Sequence, residues 1–173
     1  MKKLIAGVTA VALFAGAFFV FYFSEDDSSF DRICEDLSED GFKEVISEDE
    51  GKDFIGEEAY ALTKQYVKFV EEDTKDIYFI FDFGTYSVGQ SAYKSLRSYA
   101  KRHSGYEKEQ VSMWLDKDSV FGAVSFGSCV VISQGQEEQD IFSTLKSIKE
   151  KTLEYKLYHA VEKTDEKQKG EEK

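Results

Sequence analysis

The chain contains no proline and no asparagine, although proline alone ordinarily supplies about 5% of residues. A cis-proline turn and an N-glycosylation sequon are therefore both excluded, and turns must be built from Gly, Asp and Ser. Histidine is nearly absent as well: His103 and His159 are the only two, and they are too far apart for a His-x-x-x-His metal site. Two cysteines, Cys34 and Cys129, leave no Cys-x-x-Cys pair, and no Gly-x-Ser-x-Gly elbow occurs. No residue stands out as catalytic, as a metal ligand or as a cofactor contact. Paired acids are too numerous for spacing to single out two.

Basic charge is also scarce. With Lys2 and Lys3 set aside, 34 acidic residues face 20 basic ones from Ser24 to Lys173, a formal charge of −14. Such a surface repels phosphate backbones, which argues against a nucleic-acid partner.

What is present begins at the amino terminus. Lys2 and Lys3 precede an apolar run from Leu4 to Phe23 that contains no charged residue. As a helix it would extend roughly 30 Å, the thickness of a bilayer's hydrocarbon core. The small-x-small site Ala15-Gly16-Ala17 would, if cut after Ala17, leave Phe18 to Phe23 as an apolar new terminus. The expectation is an uncleaved single-span transmembrane anchor over residues 1–23, with a secreted structural domain released after Ala17 as the alternative. The basic amino-terminal flank places the carboxyl-terminal domain outside the cytoplasm. An acidic linker over 24–29, a soluble domain over 30–163 and a disordered, charged tail over 164–173 complete the division.

Within the domain, Phe30, Ile33, Cys34 and Leu37 repeat with helical spacing, and Gly41 can end that helix. Phe42 to Ile46 has strand composition, Ser47 to Asp53 reads as an exposed acidic loop, and Ile55 to Leu62 as a short helix. A strand over Gln65–Glu71, a turn at Asp73–Asp76 and a central strand over Ile77–Phe83 follow, with Ile77, Phe79, Phe81 and Phe83 on one side of the last. Gly84 and Gly105 bracket a helix whose inward stripe is Val88, Ala92, Leu96, Tyr99 and His103. Three strands, Val111–Leu115, Ser119–Ser125 and Cys129–Ser133, precede a long helix over Asp140–Lys163. This order predicts an α+β fold: a mainly antiparallel sheet with helices packed on one face.

Four features could carry function. Gly84-Thr85-Tyr86-Ser87-Val88-Gly89-Gln90-Ser91 has the glycine spacing of a nucleotide-binding P-loop, but Gln90 stands where a lysine must meet the phosphates, so nucleotide binding is not expected. Cys34 and Cys129 could pair as a disulfide in an oxidising compartment. Lys94, Arg97 and Lys101 lie at i, i+3 and i+7 on the predicted helix between Gly84 and Gly105 with Arg102 beside them, a cationic stripe holding two of the chain's three arginines. On the last helix, Leu153, Leu157 and Val161 fall on a different face from Ile141, Leu145 and Ile148, which leaves them for another surface or another chain. The expected function is a membrane-anchored interaction domain that holds a protein partner on one of these two helix faces. A small membrane-tethered hydrolase with unidentified acidic residues is the alternative.

Overall fold

A computed structural model of the chain describes residues 28–45 and 48–171, with the backbone alone at residues 28, 48 and 155–171. Helix α1 spans Ser28–Glu39. Phe30, Ile33 and Leu37 are buried along one side of it. Gly41, at φ +89°, closes its end, where the Phe42 amide donates to the Leu37 carbonyl at 2.9 Å. The chain then forms β1 (Lys43–Val45), α2 (Glu48–Ile55), α3 (Glu57–Tyr60), β2 (Gln65–Val70) and β3 (Ile77–Asp82). After β3 come α4 (Tyr86–Arg102), β4 (Tyr106–Lys108), β5 (Val111–Asp116), β6 (Ser119–Phe126), β7 (Cys129–Gly135) and α5 (Glu138–Glu171).

All seven strands join one sheet in the order β1-β2-β3-β7-β6-β5-β4, and every neighbouring pair is antiparallel. The fold is α+β. The inner strand β7 is buried nearly end to end between β3 and β6, which makes it, and not β3, the centre of the sheet.

Strand alternation sends two different sets of side chains to the two sides. On one, Tyr78 and Ile80 of β3 and Val131 of β7 pack with Ile33 and Leu37 of α1 and with Ile141, Leu145 and Ile148 of α5. On the other, Phe79 and Phe81 of β3 and Trp114 and Phe121 of β5 and β6 pack with Ile55, Ala59 and the Ala92–Leu96–Ala100 stripe of α4. Helices therefore cover both faces of the sheet, which corrects the expectation of a single covered face. An inner strand buried on both sides requires that second layer.

Several local readings change for identifiable reasons. The acidic stretch from Ser47 to Asp53 is not a loop where it is described: α2 begins at Glu48, because Phe54 stacks on Phe79 at 4.2 Å and Ile55 is buried, and these anchors outweigh the polar composition. Gly56, at φ +85°, separates α2 from α3, so the helix expected from Ile55 to Leu62 shrinks to four residues. Residues 28 and 29, read as linker, already belong to α1. Helix α5 continues through Glu171, over most of the segment read as a disordered tail; its Glu- and Lys-rich sequence favours helix, with opposite charges at i, i+4 spacing.

The run from Leu4 to Phe23 lies outside the described residues, and among those residues no helix is long and apolar enough to cross a membrane.

Candidate functional site

Helix α4 is locked to the sheet by polar contacts at its start. The carboxylate of buried Asp82, the last residue of β3, accepts from the Gly84 amide at 2.9 Å and from the Ser128 hydroxyl at 2.6 Å. One turn into the helix, Gly89 sits so close to the connection between β6 and β7 that an added Cβ would lie 2.5 Å from the Ser128 carbonyl oxygen. Next to it, the Gln90 amide donates to the Ser125 hydroxyl and the Gly127 carbonyl, each at 3.3 Å. The glycine spacing and Gln90 thus have a packing role, and what resembled a P-loop is a clasp between β3, α4 and the β6–β7 turn. Farther along, the Tyr93 hydroxyl donates to the Gln110 carbonyl at 3.0 Å and lies 3.3 Å from the Ser112 hydroxyl.

These contacts fix the rotation of α4 and hence its outer face. Lys94, Lys101 and Arg102 are exposed, and none makes an ion pair among the described residues. Arg97, in the middle of the same stripe, differs. It is paired with the Glu107 carboxylate of β4 and lies over the Tyr93 ring, 5.9 Å from its centroid. Lys101 and Arg102 occupy the last turn, where cations offset the negative end of the helix dipole. His103 follows as the cap and is exposed, which corrects its place in the inward stripe; Gly89, Tyr93 and Ala100 share the buried side instead. Its ring stacks on Tyr99 at 3.9 Å, with Nδ1 2.9 Å from the Tyr99 carbonyl oxygen.

The remaining candidates are placed elsewhere. Leu153 on α5 is 46% exposed, beyond the buried Ile141–Leu145–Ile148–Thr152 side, while the side chains of Leu157 and Val161 lie outside the described set. Of the two cysteines, Cys34 is half-buried on α1 and Cys129 is buried at the start of β7, and no disulfide joins one to the other. Burial, with help from Glu44 and Asp31, pushes the Cys34 thiol up to about 12, so it is protonated and poorly nucleophilic at neutral pH.

Between α2, α3 and α4 lies a void of about 10 Å³ lined by Ile55, Ala59, Phe81, Phe83, Ala92, Leu96, Val130 and Ile132. It is barely large enough for one water and offers that water no polar partner. Its lining contains no carboxylate that could serve hydrolysis. Among the described residues, no group of three or more His, Cys, Asp and Glu side chains is placed to hold a metal ion.

Strand β4 and its residue Glu107 were missed in the sequence. The turn between β4 and β5 is made by Glu109 and Gln110, both in the left-handed region at φ +49° and +66°, where Gly, Asn or Asp would be the usual signal. The chain matches no family model, no curated protein and no solved structure.

Proposed function

We propose that the chain is a membrane-anchored, extracytoplasmic binding domain that holds an acidic protein segment along the outer face of α4. The observation that carries this reading is the trio Lys94, Lys101 and Arg102, exposed and outside any ion pair among the described residues, on a segment, Ser24–Lys173, whose formal charge is −14. Surface cations on so acidic a domain would normally meet nearby carboxylates, and a stripe that does not is available to carboxylates of another chain. Lys94 and Lys101 are seven residues apart, about 10 Å along the helix, which suits an extended or helical acidic segment. A flat anionic membrane would have to approach the whole acidic surface, whereas a narrow segment meets the stripe alone.

Anchorage rests on Leu4–Phe23 and its basic flank. Membrane fractionation with intact-mass measurement tests it: an intact amino terminus in the membrane fraction is expected, and a mature chain beginning at Phe18 would remove the anchor. For the docking face, crosslinking and mass spectrometry in the native membrane should recover an acidic partner from the wild type. The Lys94→Glu/Lys101→Glu/Arg102→Glu variant should lose it, and an unchanged partner set would remove this site.

A further inference from the structure

We infer that Glu107 is an internal competitor for the docking face, occupying Arg97 until an acidic partner replaces it; this rests on the proposed role of α4. Arg97 lies midway between Lys94 and Lys101, yet among the described residues it alone of the stripe is engaged by a carboxylate of its own chain. The pair is accessible, with the Arg97 and Glu107 side chains 36% and 32% exposed. A guanidinium offers a carboxylate two parallel donors, so Arg97 is the position from which the stripe would gain most in geometric fit.

Release of Glu107 leaves β4 in place, because the neighbouring residues are held from the other side of the sheet. Tyr106 donates to Glu138, and Lys108 lies over the Phe142 ring at 4.2 Å. Lys146 pairs with Glu109 at 2.6 Å, and Lys149 donates to the Gln110 side-chain oxygen at 2.6 Å. Four positions of α5, at successive turns, thus secure β4 and its turn. Of the β4 side chains, Glu107 alone, pointing to the opposite side as strand alternation requires, reaches α4. Exchanging its carboxylate for a partner's costs one exposed ion pair and no strand.

The test is binding of an oligoglutamate peptide to the full-length chain in zwitterionic nanodiscs. Glu107→Gln should tighten binding about two- to fivefold, the range expected for one exposed pair. The gain should vanish in the Arg97→Gln background, with Arg97→Gln/Glu107→Gln binding no tighter than Arg97→Gln. Amide exchange at Tyr106–Lys108 should show β4 still paired in Glu107→Gln. Wild-type affinity in Glu107→Gln, a gain that persists without Arg97, or lost protection of β4 would each overturn the competitor. Capture by phosphatidylserine vesicles as strong as by the peptide would overturn the acidic-segment partner. If reversal of Lys94, Lys101 and Arg102 leaves peptide binding intact, the docking face itself fails; if that reversal abolishes binding while Glu107→Gln changes nothing, only the competitor fails.

Discussion

Beneath α1 and α5 the sheet presents mostly aliphatic side chains, whereas beneath α2, α3 and α4 it presents rings: Phe79, Phe81, Phe83, Trp114 and Phe121, joined by Phe54, Tyr60, Tyr66 and Tyr99. The aliphatic side is roofed by one helix of 12 residues and another of 34, and Ile33, Leu37, Ile141 and Leu145 are fully buried there. The aromatic side is roofed by α4 and by two short helices of eight and four residues, and keeps a small void among them. Branched side chains interdigitate under long helices with little space left; flat rings stack in a row, and short helices cover them less completely. The proposed docking face lies on the aromatic side, on the one long helix described in that layer, clasped at its start by Asp82, Gln90 and the approach of Gly89 to Ser128.

The largest difference between the sides should appear on truncation. Leu145→Ala, under α5, should cost about 3–4 kcal/mol, and Leu96→Ala, which borders the existing void, about 2–3 kcal/mol. Urea denaturation measures both, and an equal or larger loss at Leu96 would break the contrast. Gly89→Ala should cost about 1–3 kcal/mol through overpacking against Ser128 and should shift α4, so its stability loss should be accompanied by weaker peptide binding.

A smaller effect belongs to the rim of the aliphatic side. Asp76 is 1% exposed, and burial, with Glu71 and Asp140 nearby, raises its carboxyl above the ordinary range even though Thr74 and the Gln136 backbone oppose that shift. A raised folded pKa stabilises fully below the unfolded value near about 4, and that contribution is lost as pH rises through the folded pKa. Asp76→Asn should therefore match the wild type in acid and become the more stable form toward neutrality. Equal pH profiles would show that Asp76 carries no such burden. The smallest effect is at Arg97: Arg97→Gln should cost under about 1 kcal/mol, since its pair with Glu107 is partly exposed.

The same division governs what was legible in the sequence. The period-two alternation of Ile77 to Phe83 and the helical repeat of Phe30, Ile33 and Leu37 state their faces outright, and both appear as read. Lys94, Arg97 and Lys101 fall on one helix face for the same reason. Short elements carry too few repeats to declare themselves: α2 is mostly charged and is held by Phe54 and Ile55, and β4 is Tyr-Glu-Lys with a turn that lacks Gly, Asn and Asp. Missing β4 also hid Glu107, so Arg97 looked equivalent to its neighbours. Coverage of both faces was hidden because the apolar runs of β6 and β7 fit a strand buried on one side or on two until their partners are known.

The most direct measurement is calorimetric titration of an oligoglutamate peptide into the full-length chain, wild type against Lys94→Glu/Lys101→Glu/Arg102→Glu, with circular dichroism confirming an unchanged fold. A loss of affinity of about tenfold or more, growing as salt is lowered, is the result predicted for a cationic docking face on α4. Equal affinity in the two proteins would contradict it.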